Sequence, residues 1–308
     1  MPLVTLPGQD WVEAVGPVPG LEIEVWDLDG PPSRPEEVRV VVPPYIGAGP
    51  RLRALEQLPN LELVQLLTAG YDGVPEHLPA GARLANAAGV HDASTAELAL
   101  TLTLSALRGI PEFVAAQQDR RWLPYQGFWP ALADKRVLVV GYGSIGRAIA
   151  ARLLPFEVTV TAVASRARGG DELVPSVHGV DELPELLPRH DVVILILPLG
   201  PQTAGLVDDA FLTAMPDGAL LVNVARGGIV DTDALVRHLQ TGRIRAAVDV
   251  TDPEPLPADH PLWSAPGILI SPHVGGASTA FTPRATRLLQ EQLGAYAAGR
   301  PLRNLVDL

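Results

Sequence analysis

The fold follows from one stretch of the chain, Val137-Leu-Val-Val-Gly-Tyr-Gly-Ser-Ile-Gly-Arg-Ala-Ile-Ala-Ala-Arg-Leu-Leu154. An apolar run typical of a strand leads into three glycines spaced G-x-G-x-x-G, and an amphipathic helix follows. Gly141 permits a tight turn, Gly143 has no side chain to obstruct a pyrophosphate, and Gly146 lets the helix pack close to its strand. Strand, glycines and helix in this order are the context that a dinucleotide-binding fingerprint requires.

The start of the helix supplies the other half of that fingerprint. Unpaired backbone N–H groups and the positive end of the helix dipole lie there, and both attract an anion. The alternative is that the glycines serve a tight turn alone, but the flanking strand and helix favour the cofactor. The residues predicted to contact the dinucleotide are Gly141, Gly143, Ser144, Ile145 and Gly146.

Composition narrows the class of protein. The chain has 308 residues, 47% of them hydrophobic, which is enough for two domains with their own cores. A net charge of −12 without any basic run argues against nucleic acid or an anionic membrane as partner. The absence of cysteine excludes disulfides and thiolate chemistry, and no metal-ligand spacing is visible. The sequence shows no signal peptide or membrane span, so we expect a cytoplasmic protein.

Alternating strand and helix patterns predict an α/β fold with two doubly wound parallel sheets, Rossmann-like or flavodoxin-like. A last helix at 282–298 has nothing left to cover in the second sheet, so we expect it to return to the first. That gives a discontinuous substrate domain, residues 1–92 and 278–308, and a dinucleotide-binding domain, residues 93–277. The expected strands are 3–6, 21–26, 38–42, 61–66 and 83–85, then 137–140, 157–163, 191–195, 219–224, 245–249 and 267–270. The other expected helices are 10–15, 50–58, 181–187, 208–215 and 232–241.

A further helix at 93–107 is apolar on nearly every face. Ser94-Thr-Ala-Glu97 at its start has the pattern of a capping box. A helix of this kind is buried, either between domains or in a subunit interface. The segment 117–130, rich in Trp, Pro and Gln, is expected to be irregular.

Ligands of open α/β sheets bind beyond the carboxyl ends of the strands, so we searched for polar residues that directly follow predicted strands. Arg226, Glu254 and His273 stand out. A guanidinium can clamp the carboxylate of a 2-keto acid and polarise its carbonyl, and an imidazole can protonate the oxygen as hydride from a cofactor reaches the carbon. A carboxylate on the far imidazole nitrogen would hold its tautomer and favour its protonated form.

Each of these three residues also has a structural explanation. Arg226 suits a helix cap or a surface ion pair, Glu254 an exposed loop charge, and His273 a hydrogen-bonded turn. Their joint position beside the fingerprint favours catalysis. Asp249 ends a strand and is a candidate for contact with the nicotinamide, although ordering of its loop is an equal alternative. His91 is expected to form a hydrogen bond at a hinge rather than to catalyse.

Four motifs in order resemble the D-isomer-specific 2-hydroxyacid dehydrogenases, over essentially the whole chain: Gly141-Tyr-Gly-Ser-Ile-Gly146, Leu221-Val-Asn-Val-Ala-Arg-Gly-Gly-Ile-Val-Asp231, Val248-Asp-Val-Thr-Asp-Pro-Glu-Pro-Leu-Pro257 and Ser271-Pro-His-Val-Gly-Gly-Ala-Ser278. The resemblance implies that Arg226 is the substrate arginine, Glu254 the supporting glutamate and His273 the acid/base histidine. It further implies that the backbone of Ala69 and Gly70 holds the substrate carboxylate. Family members are usually homodimers joined through the cofactor domains, which suits the apolar helix at 93–107.

The choice of coenzyme depends on the end of the second strand of the fingerprint domain. An acid there would bind the ribose 2′-OH of NAD. The sequence has Ser165, Arg166 and Arg168 instead, and no acid before Asp171. A solvated basic loop is the alternative, but a missing acid and two added arginines favour NADP, with NAD possible.

The leading hypothesis is therefore reduction of a small 2-keto acid, such as glyoxylate or hydroxypyruvate, to the D-2-hydroxy acid. The alternatives are a phosphoglycerate or phosphite dehydrogenase of the same family, and a dinucleotide-sensing binding protein without enzymatic activity.

Overall fold

A computed structural model describes residues 1–125 and 127–308. The chain forms two compact units, unit 1 with residues 1–91 and 279–308, and unit 2 with residues 92–278. The chain passes from one unit to the other after His91 and returns after Ser278. Both crossing points lie within one residue of the boundaries expected from the sequence.

Unit 1 contains a five-stranded parallel sheet in the order β2-β1-β3-β4-β5, the flavodoxin-like order. Its strands are β1 (Leu3–Leu6), β2 (Glu22–Val25), β3 (Val38–Val41), β4 (Leu63–Gln65) and β5 (Arg83–Ala85). The helix α1 (Gln9–Val15) and the C-terminal helix (Phe281–Ala297) belong to the same unit. The predicted doubly wound α/β class is confirmed here.

Both faces of this sheet are covered, which explains why its strands are apolar at consecutive positions. Val4 and Leu6 point to the side of the C-terminal helix, where they pack with Leu289. Leu3 points to the opposite face, whose core includes Leu55.

The helix expected at 50–58 is present, and the structure decides its type. The structure has a 3-10 helix at Gly49–Gln57. Leu52, Leu55 and Leu58, all buried, recur every three residues. That spacing places them on one face of a 3-10 helix, which has three residues per turn, rather than of an α-helix.

Unit 2 contains an eight-stranded sheet in the order β13-β12-β11-β10-β6-β7-β9-β8. All neighbouring strands are parallel except the last pair, β9 and β8. The strands are β6 (Arg136–Val140), β7 (Thr159–Ala164), β8 (Arg168–Gly169), β9 (Ser176–Gly179), β10 (Val192–Leu195), β11 (Leu220–Asn223), β12 (Arg245–Val248) and β13 (Ile268–Ile270). The prediction of six strands missed β8 and β9, because β8 has only two residues and β9 has one large apolar side chain.

The helices of unit 2 are α2 (Asp92–Leu107), α3 (Ile110–Gln118), α4 (Ser144–Leu153), α5 (Leu183–Leu186), α6 (Asp209–Ala214) and α7 (Thr232–Gln240). The C-terminal helix is α8. The sequence prediction lacked α3. In the part of the chain that the structure describes, no single helix is long and apolar enough to span a membrane, whereas α2 and α3 together, bent by 69°, meet that requirement by length and composition.

Helix α2 packs against α4 and the sheet within unit 2, so much of its apolar surface is already covered by its own unit. The expected capping box at Ser94 is wrong, because the helix begins at Asp92. The Ser94 hydroxyl instead forms a 2.6 Å hydrogen bond with the hydroxyl of Ser278, the last residue of unit 2.

The three fingerprint glycines have different roles in packing. Gly141 has φ +108°, and a Cβ there would collide with the backbone oxygen of Ile196. A Cβ on Gly146 would collide with the backbone oxygen of Gly141, so α4 lies directly against the turn. A Cβ on Gly143 would meet no atom within 4 Å. The backbone of Gly143 is thus open to a ligand, while the other two glycines close the turn.

These contacts predict different effects on stability for two alanine substitutions. Gly146→Ala should lower the free energy of unfolding by about 1–3 kcal/mol through overpacking, although alanine would otherwise favour the helix by about 1 kcal/mol. Gly143→Ala, the matched control, should change it by less than about 1 kcal/mol. Urea denaturation followed by circular dichroism measures both. A Gly146→Ala protein as stable as the native one would contradict the close approach of helix and turn.

Candidate active site

The candidate site lies where β11, β12 and β13 end, because these three strands are neighbours and parallel. Arg226 follows β11, Glu254 follows β12 and His273 follows β13. The fingerprint turn follows β6, which is separated from β11 by β10 alone. The three side chains and the glycine turn therefore occupy one edge of the sheet in unit 2, as parallel strand order requires.

The structure brings Glu254 and His273 into direct contact. The imidazole Nδ1 lies 2.6 Å from the Glu254 Oε1. Because a carboxylate only accepts, Nδ1 carries the proton, and Nε2 is the nitrogen left for a ligand. Both side chains are partly open to solvent, with 46% of His273 and 41% of Glu254 exposed.

The contact between an imidazole and a carboxylate is not by itself distinctive in this protein. His77 pairs with Glu56, and His178 with Glu182, each at 2.7 Å through Nδ1. Neither of those histidines follows a strand at the edge where the fingerprint turn lies. The position of His273 in the sheet, rather than the pair alone, marks it as the candidate.

Arg226 is half-buried, at the end of a turn that is stabilised by side-chain hydrogen bonds. The buried Asn223 accepts from the N–H of Ala225 at 3.0 Å and donates to the carbonyl of Arg226 at 3.0 Å. A Cβ on Gly227 would collide with the backbone oxygen of Thr251, so this turn lies against the segment that leads to Glu254. Two loops from neighbouring strands are thereby held together.

The carboxylate of Asp249 orders the loop that carries His273. Its Oδ1 accepts from the Ser271 hydroxyl at 2.6 Å and from the N–H of Val274 at 2.9 Å, and its Oδ2 accepts from the N–H of Gly275 at 2.7 Å. Asp249 is 2% exposed. This geometry favours the loop-ordering alternative, and contact with a cofactor stays a prediction.

The loop of Ala69 and Gly70 belongs to unit 1, and the carbonyls of its successive peptide groups are all hydrogen-bonded. Four successive carbonyls each accept one hydrogen bond, Leu67 from His91, Thr68 from the N–H of Ala87, Ala69 from Asn86, and Gly70 from the Thr68 hydroxyl. Within residues 1–125 and 127–308, the N–H groups of Thr68, Ala69 and Gly70 donate to no protein acceptor. A row of successive unpaired N–H groups is a site for an anion such as a carboxylate.

The fingerprint turn fits a dinucleotide. Gly143 precedes α4 in an extended conformation, and no atom of a non-adjacent residue lies within 4 Å of the position that a Cβ on this residue would occupy. Gly143 and Ser144 are exposed and Ile145 is half-buried. The first turn of a ten-residue helix therefore presents its N–H groups to solvent, where a pyrophosphate can bind them.

The loop after β7 carries the residues expected to distinguish NADP from NAD. Ser165, Arg166 and Arg168 are all exposed. Arg168 donates from Nη2 to the carbonyl of Tyr142 at 2.8 Å, which places its guanidinium beside the fingerprint turn.

The next acid, Asp171, is already fully engaged. It accepts from the Tyr142 hydroxyl at 3.0 Å and from the Arg147 Nε at 2.6 Å. Hydrogen bonds from the backbone N–H of Leu173 first, and then from Arg147 and Tyr142, lower the pKa of Asp171 to about 2. This carboxylate fastens the loop to the fingerprint.

The sequence analysis did not identify the role of Asn223 or the hydrogen bond from Tyr142 to Asp171. Asn223 is a polar residue within an otherwise apolar strand, and a buried amide at such a position is expected to form hydrogen bonds. Tyr142 occupies a variable position of the fingerprint, and nothing in the spacing indicates its partner 29 residues later.

Comparisons with known proteins agree with this geometry. A sequence profile described as "D-isomer specific 2-hydroxyacid dehydrogenase, NAD binding domain" matches residues 100–275. The human glyoxylate reductase/hydroxypyruvate reductase is 31% identical, over 93% of this chain and 91% of that protein. A D-3-phosphoglycerate dehydrogenase from Archaeoglobus fulgidus is 30% identical, over 94% of this chain but 56% of that protein.

A solved structure extends the likeness to the fold. The crystal structure of a D-isomer specific 2-hydroxyacid dehydrogenase from Xanthobacter autotrophicus Py2, in complex with NADPH and MES, is 33% identical with a TM-score of 0.83. The match covers 99% of this chain and 98% of that one. The resemblance inferred from the four motifs is confirmed: the chain belongs to the D-isomer-specific 2-hydroxyacid dehydrogenase family.

Proposed function

We propose that this protein reduces a small 2-keto acid to the D-2-hydroxy acid, with unit 1 as the substrate domain and unit 2 as the dinucleotide-binding domain. The observation that carries the proposal is the contact of His273 with Glu254 at the edge of the sheet that also holds Arg226 and the fingerprint turn. Glyoxylate and hydroxypyruvate are the first substrates to test, because the human relative is named for them.

The proposed mechanism assigns one task to each side chain. The planar guanidinium of Arg226 binds the substrate carboxylate and polarises the neighbouring carbonyl. The amides of Ala69 and Gly70 bind the same carboxylate. His273 donates the proton of Nε2 to the carbonyl oxygen, while Glu254 holds Nδ1–H and stabilises the imidazolium. The reduced nicotinamide, when bound, supplies the hydride for the carbonyl carbon, so hydride and proton together give the hydroxyl product.

We propose NADPH as the preferred coenzyme. Support comes from the loop after β7, which has two exposed arginines and whose nearest following acid is engaged by Tyr142 and Arg147. Arg147 is itself paired with Asp171 and Glu172, which leaves Arg166 and Arg168 as the cations for a 2′-phosphate. A carboxylate free to bind the 2′-OH would favour NADH instead.

We further propose that the protein is a homodimer joined through unit 2. Exposed aromatic and aliphatic side chains are concentrated in α3 and the segment that follows it: Ile110, Phe113, Val114, Trp122, Tyr125, Phe128 and Trp129. Trp122 is 97% and Phe128 96% exposed in the single chain. Large exposed aromatic patches of this kind mark protein interfaces.

The catalytic assignment predicts a graded loss of activity. With NADPH and a panel of glyoxylate, hydroxypyruvate, pyruvate, longer 2-keto acids and 3-phosphohydroxypyruvate, Arg226→Ala should lower kcat/KM by about 100- to 1,000-fold, and His273→Ala by about 100- to 10,000-fold. His178→Ala breaks the comparable surface pair with Glu182 and should leave kcat/KM within about twofold.

Two outcomes would contradict the assignment. Undiminished turnover in Arg226→Ala would remove the proposed clamp. A native protein that binds NADPH but turns over no keto acid would favour the dinucleotide-sensing binding protein. The best substrate of the panel would distinguish a glyoxylate or hydroxypyruvate reductase from a phosphoglycerate dehydrogenase.

The coenzyme proposal predicts a selective loss of affinity. The double variant Arg166→Gln with Arg168→Gln should raise the Kd for NADPH by about 10- to 100-fold, because hydrogen bonds between charged groups are worth about 1.5–3 kcal/mol. The Kd for NADH should change by less than about threefold. Nicotinamide fluorescence titration measures both, with the exposed Arg189→Gln as control. Equal NADPH and NADH affinities in the native protein would refute the proposal.

The dimer proposal predicts a change of mass. Light scattering should give the native protein twice the chain mass of 32.6 kDa. Trp122→Ser combined with Phe128→Ser should shift it toward the single-chain mass, whereas Ile46→Ser, which alters an apolar residue of unit 1 that is 77% exposed, should not. A monomeric native protein would refute the interface.

A further inference from the structure

His91 has an unusual position for a histidine that no step of the proposed mechanism uses. It is the last residue of unit 1 before the chain enters unit 2, and it is 6% exposed. Its Nε2 lies 2.8 Å from the carbonyl oxygen of Leu67. Because a carbonyl only accepts, Nε2 carries the proton and donates it.

Two aromatic rings fix the plane of this imidazole. Tyr45 stacks on it with centroids 5.5 Å apart and an interplanar angle of 15°, and Phe281 does so at 5.4 Å and 14°. Tyr45 and Phe281 also stack on each other at 4.3 Å. Phe281 begins the helix by which the chain rejoins unit 1. The ring plane is thus set by residues from two separate segments, and the plane sets the direction of the Nε2–H bond.

The Leu67 carbonyl and the Thr68 N–H form the first peptide group of the loop at residues 67–70. A trans peptide is planar, so its C=O and N–H point in opposite directions. When His91 holds the Leu67 carbonyl inward, the N–H of Thr68 must point the other way. The next two peptides are held in the same way. The Thr68 carbonyl accepts from the N–H of Ala87, and the Ala69 carbonyl accepts from the Asn86 side chain. The N–H groups of Ala69 and Gly70, on the opposite sides of these peptides, therefore point away from those donors.

We propose that His91 is a positioning residue for the substrate carboxylate: it fixes the first peptide of the 67–70 loop, so that three successive N–H groups converge on the anion. The inference rests on the proposed function. His91 acts through the backbone and touches neither substrate nor cofactor. His91 is the residue at which the chain leaves unit 1, and it lies against Phe281, the first residue of α8. The side chain that aligns the loop is therefore located at the end of this segment of unit 1.

Two substitutions separate the hydrogen bond from packing. His91→Phe keeps an aromatic ring for Tyr45 and Phe281 but has no donor. His91→Gln loses the ring but can place an amide N–H close to the position of Nε2. A hydrogen bond is worth about 1 kcal/mol net, and an unpaired buried carbonyl adds to the loss.

The readouts are KM and kcat for the best 2-keto acid, the Kd for oxamate in the presence of saturating NADPH, and the Kd for NADPH alone. We expect His91→Phe to raise KM and the oxamate Kd by about 5- to 20-fold, with kcat within about threefold and NADPH binding unchanged. His91→Gln should restore KM and oxamate binding to within about threefold of the native values, even if its thermal stability is lower.

The inference is overturned if His91→Phe binds oxamate and substrate like the native protein. It is also overturned if His91→Gln, properly folded, is as impaired as His91→Phe, because the ring rather than the donor would then matter. The oxamate titration keeps this test apart from that of the proposed function. Native protein that binds oxamate, loses it in His91→Phe and turns over no keto acid would refute the reduction and leave the loop assignment standing.

Discussion

Parallel pairing of β11, β12 and β13 is the constraint on which the site depends. The carboxyl ends of parallel strands lie at one edge of the sheet. Arg226 and His273, 47 positions apart along the chain, therefore follow strands that are separated by β12 alone. Backbone hydrogen bonding between the strands therefore decides which residues reach this edge. The same pairing brings the fingerprint turn after β6 to that edge.

Strand order brings the residues to one edge, but buried polar groups set their geometry. Asn223 holds the turn that presents Arg226, and Asp249 holds the loop that presents His273. Both are buried directly at strand ends, where an unpaired amide or carboxylate would cost several kcal/mol. Their partners are loop N–H groups and hydroxyls, so folding of the sheet and ordering of the site loops are coupled.

Carboxylates in this acidic chain have three distinct uses. Asp249 orders a loop, Glu254 fixes an imidazole tautomer, and Asp171 fastens the loop after β7 to Tyr142 and Arg147. The third use changes the local charge near the fingerprint, because it neutralises Arg147 and leaves Arg166 and Arg168 as exposed cations. A net charge of −12 therefore gives no indication of the charge at the place where a phosphate would approach.

The sequence by itself determined the fold class, most strand positions, the fingerprint and the three polar residues beyond the strand ends. These follow from local patterns, periodicity and glycine spacing, which need no knowledge of distant contacts. Only the tertiary structure decided the rest: that Leu52, Leu55 and Leu58 form a 3-10 face, that Ser94 bonds Ser278, and that Asp171 is engaged by Tyr142. For Ser94 and Asp171 the deciding partner is a side chain far along the chain, which only folding brings near. For the three leucines the spacing is visible in the sequence, but the sheet face on which they pack exists only in the folded unit.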